Sequence, residues 1–140
     1  EAIFLLSQLD AREGNIPAAI ASVEQVVQVA PGDVGVLFQL GLLRYINKDY
    51  TGSAAALEYA VSLNPNYSNA LYFLGLDYDK LNQSQKAIEK FEKIKVLNPD
   101  NDEVKRILRN LYAGREALAS ISPPREVPEK RSTPPIREDR

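Results

Sequence analysis

Residues 68–99 read SNALYFLGLDYDKLNQSQKAIEKFEKIKVLNP and contain two amphipathic helical patterns joined by a short polar break. In the first pattern, apolar or small residues recur at helical spacing at Leu71, Leu74, Gly75 and Tyr78. In the second pattern they recur at Ala87, Ile88, Phe91, Ile94 and Leu97. Residues 82–84 are polar and separate the two, so this stretch predicts a pair of helices, each with one buried face.

The same plan recurs earlier in the chain. A shift of 34 residues places Leu74-Gly75 on Leu40-Gly41, Phe91 on Leu57 and Asn98-Pro99 on Asn64-Pro65. A further shift reaches Pro31. Short-range propensity does not produce self-similarity at this distance, and a fixed period of this length is typical of stacked helical repeats.

Helical periodicity predicts about seven helices between residue 1 and residue 119. The first covers residues 1–12 and the second runs from about residue 16 to residue 30, with Pro17 in its first turn. Asp33 and Asp49 are the predicted N-caps of the next two helices, which end near residues 47 and 63. The remaining cap candidates are Asn66 or Ser68, then Ser84, and lastly residues 100–102 before the seventh helix.

These features together resemble the tetratricopeptide repeat (TPR) family. The resemblance rests on the 34-residue period, the two Leu-Gly pairs, the small residues Ala19, Ser53 and Ala87, and the prolines at 31, 65 and 99. It implies an all-α fold, a right-handed superhelical stack of antiparallel helix pairs with a concave groove. We predict a TPR domain over residues 1–119, with repeats at about 1–33, 34–67 and 68–101 and a capping helix at 102–119. Ser7 stands where the later repeats have glycine.

The composition changes after residue 119. Residues 120–140 hold five of the nine prolines and nine charged side chains, but only three valines or isoleucines. Such a segment buries too little apolar surface to offset its ordering entropy. We therefore expect a disordered tail that contributes little to stability.

The resemblance also implies a binding surface. In TPR proteins the first helix of each pair lines the groove with its remaining face. In this register that face carries Phe4, Gln8, Phe38, Leu42, Tyr45, Tyr72, Leu76, Asp79, Arg106 and Asn110. Because the face is mostly apolar, it differs from the Lys, Arg and Asn pattern of members that clamp a chaperone C-terminus.

Two interpretations of this apolar face remain open. Helices of a tight superhelix can bury part of it against each other. Alternatively it binds an apolar or amphipathic peptide, since exposed apolar patches of this kind usually mark interaction sites. Under the second interpretation Asp79, Arg106 and Asn110 orient the ligand at one end.

Composition argues against several other functions. The chain has no His, Cys, Met or Trp, so the usual thiolate, imidazole and zinc chemistry is missing and we predict neither a cofactor nor a metal. Asp77 and Asp79 are two apart on one helix and diverge, so we expect no enzyme. Residues 1–119 carry 12 basic against 15 acidic side chains, the wrong sign for nucleic acid, and no apolar run is long enough to insert into a membrane.

The ends of the chain suggest a larger parent protein. Residue 1 is already in helical phase, and Leu6 and Leu9 would pack on a preceding helix, so we expect self-association through this end. NLYAGREAL followed by a proline-rich tail resembles the end of TPR segments appended to bacterial membrane glycan polymerases or ligases of the O-antigen type. The domain is then soluble, either cytoplasmic or an extramembrane part of an envelope protein.

Overall fold

Six α-helices follow one another in the computed structural model, which describes residues 15–121, 128–131 and 133–138. They are α1 (Ile16–Val29), α2 (Val34–Ile46), α3 (Tyr50–Leu63), α4 (Ser68–Lys80), α5 (Ser84–Leu97) and α6 (Asp102–Tyr112). A short 3-10 helix, Pro128–Lys130, follows. The helix predicted at 1–12 lies outside the described residues, and within them no strand is present. The all-α prediction is confirmed.

Each helix packs against the next one along the chain. Contacts join α1 to α2, α2 to α3, α3 to α4, α4 to α5 and α5 to α6, and α2 also contacts α4 directly. The α2–α4 contact places the first helices of successive pairs side by side. This arrangement is the α-solenoid that the repeat period predicts, while the division into repeats, cap and tail stays a prediction.

Side-chain caps fix the starts of three helices. Asp33 accepts a hydrogen bond from Val36 N at 3.2 Å, and Asp49 accepts one from Gly52 N at 2.9 Å, as predicted. Asn101, inside the predicted range 100–102, caps α6. Ser84 is the first residue of α5 rather than its cap, so that prediction is wrong. Helix α4 follows Tyr67 and receives no side-chain cap from its own neighbourhood.

Two glycines let the helices of a pair approach closely. A Cβ placed on Gly75 would lie 2.5 Å from Phe91 Cε2, and one on Gly41 would clash with the Leu57 side chain. Both large side chains are fully buried against the glycine face. The two glycines therefore allow Leu57 and Phe91 to pack directly against the backbone of the first helix of each pair.

A buried polar pair joins the second and third repeats. Ser53 on α3 donates a 2.6 Å hydrogen bond to Oδ2 of Asp77 on α4, and both residues have no exposed surface. Oδ1 of Asp77 has no hydrogen-bond partner in the described part of the chain. Burial raises the pKa of Asp77 from 3.8 to about 8, although the Ser53 hydrogen bond opposes the increase.

No helix within the described ranges combines the length and the apolar character needed to cross a bilayer.

Candidate peptide-binding groove

The predicted groove residues fall into a buried group and a polar group. Phe4 and Gln8 lie outside the described residues. The buried group consists of Phe38, Leu42, Tyr45, Tyr72 and Leu76, each at most 6% exposed. Asp79 and Arg106 are half-buried, and Asn110 is buried.

Aromatic packing between α2 and α4 accounts for part of this burial. The Phe38 ring lies 6.1 Å from that of Phe73, and the Tyr45 ring lies 5.4 Å from Phe73 in an edge-on arrangement. Tyr67, just before α4, stacks 5.2 Å from Phe38. The first helices therefore bury part of the face against each other, in line with the first interpretation of the sequence.

The chain immediately after α6 folds back over one end of the groove. Asp79 accepts a 3.0 Å hydrogen bond from Ala117 N, and Asn110 donates from Nδ2 to the carbonyls of Ala117 and Ala119. Arg115 donates to Asn110 Oδ1. In this structure the predicted ligand-orienting residues Asp79 and Asn110 thus hold the chain's own backbone.

Residues 131 and 133–138 contact the N-terminal ends of α4 and α6. Arg131 forms an ion pair with Glu103 at 2.9 Å, and Glu103 also accepts a 2.6 Å hydrogen bond from the Tyr72 hydroxyl. Only 7% of the Glu103 side chain is exposed, so its charge is compensated by two partners in a largely buried setting. Burial and the neighbouring Glu103 raise the pKa of Tyr72, which stays a neutral donor.

Asn69 holds the backbone of Ile136 with its side-chain amide. Its Oδ1 accepts from Ile136 N at 3.0 Å, while its Nδ2 donates to Ile136 O at 2.8 Å. Asn69 is 3% exposed and Ile136 is 2% exposed, and Ile136 belongs to the main apolar cluster. A single side-chain amide thus satisfies both the N–H and the C=O of Ile136.

Glu138 provides the cap that α4 lacks locally. Its carboxylate accepts from Ser68 N at 2.9 Å, from Asn69 N at 2.7 Å and from Asn69 Nδ2 at 2.7 Å. The first N–H groups of a helix have no partner within the helix, and the helix dipole favours an anion there. A residue about 70 positions later in the chain thus completes the start of this helix.

A solvent-open cavity lies beside this carboxylate. It measures about 490 Å³ and is lined by residues of the loops before α4 and α6, together with Arg137 and Glu138. A smaller cavity of about 280 Å³ at the other end is lined by Arg106, Arg109 and Arg115 among others. The docked segment therefore leaves room for further groups at both ends of the groove.

Two residues central to this arrangement, Asn69 and Glu103, are missing from the sequence-based prediction. Both occupy the same repeat position, because they are 34 residues apart, one helical turn before the predicted groove columns begin. The register therefore contained a signal for them. Their partners, however, lie in a segment that shows no regular pattern of its own.

Residues 133–138, which belong to the predicted tail, pack against the repeats in this structure. By itself, this segment can bury only a small apolar surface. Ile136 instead buries its side chain against a surface built by the repeats, and Asn69 and Asn101 bond to the backbone of Ile136 and Pro135. The apolar surface and the hydrogen-bond partners that hold this segment come from residues distant in the sequence.

Comparisons with known proteins agree with this fold. Two family profiles, each described as tetratricopeptide repeat, match residues 4–68 and 68–101. No curated protein matches the sequence.

Among solved structures, two crystal structures of MamA are similar, each with 27% identity and a TM-score of 0.72 over 80% of this chain. An O-GlcNAc transferase mutant, K341M, from Thermobaculum terrenum also matches, with 27% identity and a TM-score of 0.66 over 84% of this chain. This chain spans 66% and 61% of the MamA chains and 21% of the transferase.

The profile matches together cover residues 4–101, and the stacked helix pairs give them a physical basis. Proteins built from this repeat serve generally as protein-interaction scaffolds. The chain belongs to the tetratricopeptide repeat family.

Proposed function

We propose that this chain is a non-catalytic scaffold whose concave groove binds an amphipathic peptide segment of a partner protein. The observation that carries the proposal is the docking of residues 133–138 at the start of α4, where Asn69 holds the backbone of Ile136. The groove offers an apolar cluster, a buried amide that pairs with backbone, and acidic and basic side chains toward its ends.

The chemistry of the surface favours a polypeptide over other ligands. Asn69 pairs with both backbone groups of one residue, a contact that any residue other than proline can make. Apolar burial beside such a backbone contact is how grooves add affinity for particular side chains. Glu103 and Asp79 are carboxylates in the groove, which disfavours binding of nucleic-acid phosphates.

A peptide-display library panned against the purified chain tests this function. Because the chain's own segment fills the site, panning uses both the parent and an Ile136→Asp variant that releases it. We expect enriched peptides whose binding falls about tenfold with Asn69→Ala, since a lost pair of hydrogen bonds costs roughly 1 to 2 kcal/mol. The matched control replaces exposed residues of the second helices, Tyr59→Ala and Val96→Ala, and should leave binding unchanged.

The proposal fails if the library yields no binder to either form, or if every enriched peptide tolerates Asn69→Ala but is lost with the control substitutions. The second result would move the binding surface to the second helices.

The suggestion of a larger membrane-bound glycan polymerase or ligase remains a second candidate. The observation in its favour is that this chain matches 21% of an O-GlcNAc transferase chain, so a fold of this kind occurs within a much larger enzyme. The gene sequence upstream of Glu1 tests it, since this candidate requires membrane-spanning segments there.

A further inference from the structure

Residues 133–138, the C-terminal segment, contact the groove through backbone hydrogen bonds, an apolar side chain and a carboxylate. The backbone of Ile136 pairs with Asn69, the Ile136 side chain enters the apolar cluster, and the Glu138 carboxylate caps α4. These contacts come from three different chemical features of the segment. Together they describe a ligand rather than a chance crossing of the surface.

The spacing of these features defines a sequence rule. The Ile136 side chain is buried in the apolar cluster, and the carboxylate of Glu138, two positions later, bonds to the first turn of α4, although residues 137 and 138 are both exposed. The prolines at 134 and 135 precede them, and the backbone bends at residues 135 and 136. A branched aliphatic residue followed two positions later by a carboxylate is therefore what this end of the groove fits.

The groove side of the contact is also organised for this carboxylate. Helices α2, α3 and α6 begin with a capping side chain from the adjoining sequence, whereas α1, α4 and α5 do not. The two backbone N–H groups at the start of α4 are satisfied by Glu138 instead. Asn69, which is 3% exposed, turns its side-chain amide to the same carboxylate and to Ile136. The start of α4 is thus a carboxylate site with a buried polar side chain beside it.

We propose that the groove recognises a segment with a branched aliphatic residue two positions before a carboxylate, and that residues 133–138 are its resident occupant. The inference rests on the proposed function and specifies it. A partner segment of the same chemistry must displace the resident one, so the C-terminal segment sets a threshold for partner binding. The apparent affinity of the chain for a partner segment is then the intrinsic affinity multiplied by the fraction of time that the groove is open.

A direct test uses a fluorescent synthetic peptide with the sequence of residues 131–138, RSTPPIRE. Its binding by fluorescence anisotropy is compared between the full chain and the full chain carrying Ile136→Asp, which buries a charge at a position that is 2% exposed. We expect the peptide to bind the Ile136→Asp chain about tenfold or more tighter than the parent, because the groove is vacated. Ile136→Val in the chain is the matched control and should behave as the parent.

Substitutions in the peptide and in the groove then assign the contacts. A peptide with Asp in place of Ile136 should not bind, and one with Gln in place of Glu138 should bind several-fold more weakly and with less salt dependence. In the Ile136→Asp chain, Asn69→Ala should weaken binding about tenfold. Asn47→Ala, at an exposed asparagine after α2, should have no effect. Circular dichroism melts verify that each variant is folded.

The outcomes separate this inference from the proposed function. If library peptides bind the Ile136→Asp chain but RSTPPIRE does not, the sequence rule is wrong while groove binding stands. If neither binds, both proposals fail. Light scattering adds a third outcome, a parent that is a dimer and becomes a monomer with Ile136→Asp. In that case the segment occupies the groove of a second copy, and the proposal that it occupies the groove of its own chain is overturned.

Discussion

The buried Asp77 makes the stability of this protein depend on pH in a predictable direction. Its pKa is raised to about 8 by burial in the folded chain, against an ordinary value of 3.8 in the unfolded chain. Between these values the unfolded chain has lost the proton and the folded chain keeps it. The free energy of unfolding therefore falls as the pH rises from about 4 to about 8 and levels off above that.

The magnitude follows from the same two values. A tenfold change in proton affinity corresponds to about 1.4 kcal/mol, so ionising Asp77 inside the folded chain costs several kcal/mol. The Asp77→Asn variant removes this cost because the amide has nearly the same shape and its oxygen can still accept the hydrogen bond from Ser53. As the pH rises from 5 to 8, we expect the difference in the free energy of unfolding, variant minus parent, to increase by on the order of 3 to 4 kcal/mol.

Urea denaturation of parent and variant at pH 5, 6, 7, 8 and 9 measures this difference directly. Contributions from the other titrating groups cancel when the two curves are subtracted. Asp102→Asn, an exposed carboxylate in the first turn of α6, is the matched control for the change from acid to amide. If Asp77→Asn and the parent show parallel pH profiles, the carboxyl group is not protonated in the folded chain and the reasoning is refuted.

Further substitutions test the packing of the repeats and of the chain ends. Gly75→Ala should lower the free energy of unfolding by about 1 to 3 kcal/mol in thermal or urea melts, because its methyl group overlaps a buried ring. Gly32→Ala, with nothing within 4 Å of its Cβ position, should leave the melts nearly unchanged, and equal losses at both glycines would contradict the close-approach argument. Asn110→Ala should cost about 1 to 3 kcal/mol and speed amide exchange in residues 115–119, since two carbonyls lose their donor. Leu6→Lys combined with Leu9→Lys should shift the oligomer expected from the sequence to a monomer in light scattering, and a parent that is monomeric at high concentration would rule out pairing through that end.

The sequence was sufficient for the repeat architecture because each element of the pattern has a local physical cause. Helical periodicity identified the buried faces, and Asp33 and Asp49 are caps whose partners lie three residues away. The two glycines mark close contacts because no other residue lets a bulky side chain from the next helix approach the backbone so closely. Ser84 failed as a cap because a serine near a polar break can stand on either side of a helix boundary.

The surroundings of the predicted groove residues could be read from the sequence only in part. The repeat register places Phe38, Tyr72 and Leu76 on one face, and all three are buried in the structure. Their near-complete burial was not predictable, since it depends on how α2 packs on α4 and on the chain that follows α6. Asn69 was overlooked because a lone asparagine in a first turn has no distinctive pattern, and its role appears only together with Ile136.

By itself, then, the sequence determined that this chain is a stack of helix pairs and which helical faces form its core, because those properties depend on interactions between residues within one or two repeats. Only the tertiary structure decided where residues 133–138 lie and what completes the start of α4. Those contacts join positions about 70 residues apart, such as Ser68 and Glu138. A short proline-rich segment carries no periodicity from which such a partner could be read, and the surface that orders it exists only after the repeats have packed.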